Sequence, residues 1–198
     1  GRMGFACFLG LEGLARRAVE LAMAASRGDP IGPRRERRLT RGVRGVGVEQ
    51  ASHPGHPLVV ISRHAGPADS LAIAWLLAST AGRIPRIVLA DAMLWDPGIA
   101  MVLQRLDSYF VPSRSGAGDD RTRGVADLAS TLTSKDAMLI FPEGRNWAPD
   151  RHEALVERLR ARGEHERADR VESRPWVLEA RSRGVAAIRE NAPEADVM

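Results

Sequence analysis

From residue 58 onward the chain alternates short apolar runs with stretches of helical periodicity. Leu58-Val59-Val60-Ile61 is a continuous, β-branched apolar run, the pattern of a strand buried on both faces of a parallel sheet. Arg86-Ile87-Val88-Leu89-Ala90, Tyr109-Phe110-Val111 and Ala137-Met138-Leu139-Ile140-Phe141 repeat it. Between these runs the spacing predicts helices over 69–81, 97–106 and 121–134, with a Gly/Asp loop at 115–120. Residues 150–172 read as one long, highly charged, exposed helix, and a last helix is expected at 182–191. Alternating strand and helix predicts an α/β fold: a central, mostly parallel sheet covered by helices.

Before residue 51 the pattern differs. Leu11, Leu14, Ala18, Leu21 and Ala25 recur at helical spacing, and Arg16, Arg17 and Glu20 lie off that stripe. An amphipathic helix over 10–26 follows, its apolar face suited either to a core or to a membrane surface. Gly28-Asp29-Pro30 ends it, and a basic helix is expected over 33–44. The chain therefore divides into a helical, basic, membrane-facing segment at 1–50 and a catalytic domain at 51–198. Val197-Met198 reads as the first two residues of a further strand, and Gly1-Arg2-Met3 is unlike a natural start. Both ends are therefore expected to be edges of a longer chain. No internal repeat or low-complexity tract is present.

Charge sharpens this division. The net charge of +4 arises at the N-terminal end, where residues 1–50 carry ten Arg against five acids. Arg34, Arg35, Arg37, Arg38, Arg41 and Arg44 form the densest run. A solvated helix face, anionic lipid headgroups and nucleic acid all suit such a run. Aromatics are 5% of the chain and none interleave with these arginines, which argues against base stacking and thus against a nucleic-acid partner. Residues 3–11 are apolar but too short for a membrane span, which needs about 20 residues. The single cysteine, Cys7, excludes an internal disulfide framework and a multi-cysteine metal site, as suits a reducing cytoplasmic setting.

Two segments carry candidate chemistry. In Ser62-Arg63-His64-Ala65-Gly66-Pro67-Ala68-Asp69-Ser70, His64 follows a predicted strand and Asp69 opens a predicted helix. The carboxyl ends of parallel strands are where open α/β sheets bind ligands. A carboxylate on one imidazole nitrogen fixes the tautomer and raises the basicity of the other, the equipment for taking a proton from an alcohol. Alternatively, Asp69 is a helix N-cap and His64 an ordinary loop histidine. The second segment, Phe141-Pro142-Glu143-Gly144-Arg145-Asn146, also follows a strand at its carboxyl end, so the two loops share one edge. Arg145 offers a guanidinium fork suited to phosphate, and Glu143 can orient it or bind a substrate hydroxyl. A plain β-turn with a surface ion pair is the alternative.

Together, His64 and Asp69 separated by four residues and Phe-Pro-Glu-Gly at 141–144 resemble the glycerolipid acyltransferases of the lysophosphatidic acid acyltransferase type, over roughly residues 55–198. The resemblance implies a glycerol-3-phosphate acyltransferase-like fold. It makes His64 and Asp69 catalytic, and assigns substrate binding to Phe141, Pro142, Glu143, Gly144, Arg145 and Arg114. It implies no metal and no cofactor. The co-substrate would be acyl-CoA or acyl carrier protein, the acceptor a lysophospholipid such as 1-acylglycerol 3-phosphate, and the location peripheral to the inner face of the cell membrane. Backbone amides near Glu143 and Gly144 are candidate oxyanion donors. The chain departs from the family pattern at several points. Arg63 replaces the usual Asn, Phe110 and Arg114 are four apart instead of three, no Thr separates Gly144 from Arg145, and the fourth motif is missing.

Other readings remain: an acyltransferase for another alcohol, a serine hydrolase, or a lipid-binding domain without catalysis. Ser62 and Ser70 flank the histidine, but the chain has no Gly-x-Ser-x-Gly elbow.

Overall fold

A computed structural model describes residues 53, 55–64, 69–79, 81–95, 100, 103–113 and 118–198. The expected helices at 10–26 and 33–44, the arginines at 34–44, residues 115–117 of the expected loop and part of the helix at 97–106 lie outside these residues; residues 118–120, expected in that loop, are instead helical. Residues 103–105 are helical as expected.

Five strands form one sheet in the order β3-β2-β4-β1-β5, and every neighbouring pair is parallel. The strands are β1 (Leu58–Ile61), β2 (Ile84–Ala90), β3 (Tyr109–Val111), β4 (Asp136–Ile140) and β5 (Asp196–Val197). Helix α1 (Asp69–Ser79) follows β1, a 3-10 turn (Asp91–Trp95) follows β2, and α2 (Gly118–Ser130) links β3 to β4. Helices α3 (Pro149–Ala161), α4 (His165–Glu172) and α5 (Ser182–Asn191) lie between β4 and β5. This is the expected α/β architecture.

The apolar runs of β1 and β4 face both ways. Leu58, Val60, Ala137, Leu139 and Phe141 pack with Ala74 and Leu77 of α1 and with Leu103 on one side. Val59, Met138 and Ile140 pack with Val125, Leu128 and Ala129 of α2 and Ile188 of α5 on the other. Period-2 alternation with both faces covered explains why these strands are uniformly apolar. Connections toward β3 use the α1 face, and those returning toward β5 use the opposite face. Direction and face reverse together, so all crossovers keep one hand. The outgoing loops of the neighbours β1 and β4 therefore run in opposite directions, and a crevice opens between their carboxyl ends.

Two of the boundaries that differ from expectation have clear local reasons. Strand β2 begins at Ile84, ahead of Pro85. Ile84 N–H donates to Lys135 C=O on the β4 side, so the missing N–H of Pro85 falls on the opposite side, before β3 has begun. Helix α2 ends at Ser130 because Asp136 accepts from both the N–H and the hydroxyl of Thr133, each at 2.7 Å, and turns the chain into β4. Asp136 is 2% exposed and also accepts from Arg86 Nε at 3.1 Å, so its buried charge is paired and fully hydrogen-bonded.

The single exposed helix expected at 150–172 is instead a helical hairpin. Gly163 stops α3 with φ +76. Glu164 N–H bonds Leu159 C=O, and Gly163 N–H bonds Arg160 C=O, the paired closure of a Schellman motif. Nor is the hairpin exposed throughout, since Val156 and Leu159 of α3 pack on Ala168 and Val171 of α4 as a small core of their own. Buried His152 joins the two helices through Nε2 and the C=O of Val171, 3.0 Å apart. Among the described residues, no helix is long and apolar enough to cross a membrane.

Candidate active site

The β1 and β4 loops meet in the crevice. Ser62 N–H donates to Ile140 C=O at 3.1 Å, carrying the β1–β4 ladder one residue past the strands. Beyond it, Trp147 N–H donates to His64 C=O at 2.8 Å, which ties the end of one loop to the histidine of the other. The His64 ring lies on the Phe141 ring, with centroids 4.4 Å apart and planes 25° apart. Phe141 is 9% exposed and belongs to the α1-side core, so the imidazole rests on a fixed support.

Phe141 to Gly144 form a β-turn closed by Gly144 N–H on Phe141 C=O at 3.0 Å. Pro142 presets the bend, and Gly144 ends it at φ +71, a left-handed conformation that glycine takes without the penalty a Cβ brings. The Gly144 amide is thus committed to the turn, which corrects its assignment as an oxyanion donor. Glu143 is 7% exposed, and its Oε2 has no hydrogen-bond partner among the described residues. A buried carboxylate oxygen in that condition costs free energy until a donor reaches it.

His64, Phe141, Pro142, Glu143 and Gly144 are therefore brought together at one edge. Arg145 follows the turn with an exposed side chain. Asp69 is the first residue of α1, and its side chain lies outside what is described, as do residues 65–68 and Arg114. Ser113, next to Arg114 in sequence, is held at the same edge, donating through its N–H at 2.9 Å and through its hydroxyl to Asp91 after β2. These bonds hold the Asp91 carboxyl below the usual carboxylate range. No group of three His, Cys, Asp or Glu side chains suited to a metal converges among the described residues.

A third segment, 173–181, reaches the site without having been anticipated. Arg63 donates to Trp176 C=O, and Trp147 Nε1–H donates to Pro175 C=O at 3.1 Å. The two indoles sit 5.5 Å apart, with Trp176 exposed. Arg181 N–H donates to Pro142 C=O at 2.9 Å. A bidentate pair fixes this segment from below, with Arg167 Nε 2.7 Å from Glu179 Oε1 and Arg167 Nη2 2.6 Å from Oε2. Hydrogen bonding to Arg167 holds the Glu179 carboxyl below its ordinary range. Nothing local in the sequence marks these residues, because about forty residues of intervening chain separate Arg181 from the turn it touches.

The all-parallel sheet thus brings a histidine loop and a Pro-Glu-Gly turn together at the carboxyl ends of β1 and β4. The family model described as Acyltransferase matches residues 43–167, well over half of the chain. The protein belongs to that family and is an acyltransferase. Searches of curated proteins and of solved structures found no significant match.

Proposed function

We propose that this acyltransferase moves a fatty acyl group from acyl-CoA or acyl carrier protein onto the free hydroxyl of a lysophospholipid such as 1-acylglycerol 3-phosphate, as a step of phospholipid biosynthesis. The observation that supports it most is the joining of the His64 loop to the Phe-Pro-Glu-Gly turn, by the Trp147–His64 backbone bond and the His64–Phe141 stack. His64 takes the proton of the acceptor hydroxyl, with Asp69 stabilising the imidazolium. The oxygen forms a bond to the thioester carbonyl carbon. As the tetrahedral intermediate collapses, the C–S bond breaks and the proton passes from His64 to the departing thiolate. Arg114 and Arg145 approach the acceptor phosphate as guanidinium forks.

The test follows free thiol released from acyl-CoA with and without 1-acylglycerol 3-phosphate. Transfer is expected to need both substrates and to yield a diacyl product. Thiol release from acyl-CoA alone at the same rate identifies a hydrolase, and none in either case a binding domain.

A lipid acceptor places the enzyme at a membrane surface, which we assign to the 3–26 segment and the arginines at 34–44 on the inner face of the cell membrane. Each arginine near an anionic surface contributes about 1 kcal/mol, screened by salt. Co-sedimentation is therefore expected to be stronger with anionic than with neutral vesicles and to weaken as salt rises. Equal, salt-independent binding to both would refute the electrostatic attachment.

A further inference from the structure

The Pro-Glu-Gly turn carries a cation that its own sequence does not contain. Arg181 is pinned by its backbone N–H to Pro142 C=O, and its guanidinium lies against the bare Cα of Gly144. Nη1, Cζ and Nε stand 3.5, 3.6 and 3.8 Å from where a Cβ at residue 144 would be. Three nearly equal distances mean that the planar group lies along the glycine instead of pointing at it end-on. Among the described residues no carboxylate pairs with it. The acid nearest in sequence, Glu179, gives both oxygens to Arg167.

On the same turn sits Glu143, 7% exposed, with Oε2 lacking a donor. An unneutralised guanidinium and an unsatisfied buried carboxylate oxygen thus meet at one four-residue turn. The complement of that guanidinium is an anion, and a glycerol phosphate headgroup presents one in its phosphate.

We propose that Arg181 supplies the guanidinium that grips the acceptor's phosphate monoester over Gly144. The assignment rests on the acyl-transfer reading above. It gives the turn a phosphate ligand from outside its own motif, in which Arg145 follows Gly144 directly. Arg181 is exposed, and its anchoring bond uses the main chain, so replacing the side chain leaves that bond intact.

The experiment has two arms on the full chain. In the first, glycerol 3-phosphate binding is measured by calorimetry for wild type, Arg181→Ala and Arg181→Lys. Arg181→Ala is expected to weaken binding about 10–100-fold, the range for a hydrogen-bonded charged pair, with Lys recovering part of the loss. In the second, acyl transfer is followed with 1-acylglycerol 3-phosphate and with monoacylglycerol, which lacks the phosphate. Arg181→Ala is expected to raise KM for the phosphate-bearing acceptor by a similar factor. KM for acyl-CoA and the rate on monoacylglycerol should stay within about twofold. Unchanged glycerol 3-phosphate binding, equal losses on both acceptors, or a rise confined to the acyl-CoA KM each overturns the assignment. Absence of transfer by wild type to either acceptor defeats the acyl-transfer reading instead, and the binding arm still decides the role of Arg181.

Discussion

Replacing His64 with alanine is expected to lower acyl transfer by about 10²–10⁴-fold, the contribution typical of a positioned general base. The fold should survive almost untouched. The half-buried ring contributes a stack on Phe141, worth about 0.5–1.5 kcal/mol, and the substitution keeps the main-chain carbonyl that accepts from Trp147. For a chain of this size such a loss lowers Tm by only a few degrees, at roughly 2–4 °C per kcal/mol. Activity and thermal midpoint therefore separate cleanly. Turnover within tenfold of wild type would remove His64 from the base role, and a collapsed midpoint would make it a structural residue. Asp69→Asn tests the partner. If the carboxylate serves the imidazolium, activity falls well below wild type, whereas asparagine at the start of a helix costs little if Asp69 only supports α1.

The largest effect on stability is expected at Leu139. It is fully buried on β4, with Val60 of β1 opposite on one side and Ile87 of β2 opposite on the other. All three point to the α1 layer, so Leu139 is the centre of a row that spans three strands. Leu139→Ala removes the middle of that row, and the flanking strands cannot close the gap without breaking ladder register. A loss of about 3–5 kcal/mol is expected, large against the ~5–15 kcal/mol that stabilises a typical domain. In urea the midpoint should fall while the slope stays constant, since the surface exposed on unfolding hardly changes. A loss under about 1 kcal/mol would mean that the core relaxes around the cavity and the row is not the rigid centre described.

The sheet was legible because burial on both faces leaves a blunt signal. β1 and β3 run from Leu58 to Ile61 and from Tyr109 to Val111, as their apolar runs alone indicate. Pro85 hid the start of β2, since a proline inside a strand is tolerated only when its nitrogen faces an empty lane, and that depends on where β3 begins. The hairpin at α3 and α4 was obscured by charge. Its apolar positions are few, Val156, Leu159, Ala168 and Val171, and their pairing requires the reversal at Gly163. The two motif loops were legible as an edge constellation because turn residues and strand ends fix their placement locally. Arg181, Trp147 and Trp176 were not, because tertiary path alone brings the 173–181 segment back over the turn. The family match supports acyl transfer in general and leaves acceptor and donor to the proposals above.

The α3–α4 hairpin has a consequence for how the site fails. Its small core is built from its own two helices, and Arg167 on α4 grips Glu179, two residues before Arg181. A subdomain with few buried apolar side chains opens at lower free energy than the sheet, as a cooperative unit of its own. When it opens, the Arg167–Glu179 grip goes with it and Arg181 keeps only its main-chain bond to Pro142, while His64 stays seated on Phe141. On the proposed role of Arg181, acceptor affinity is then multiplied by the fraction of molecules whose hairpin is closed. Warming would thus blunt acceptor recognition before the sheet is lost.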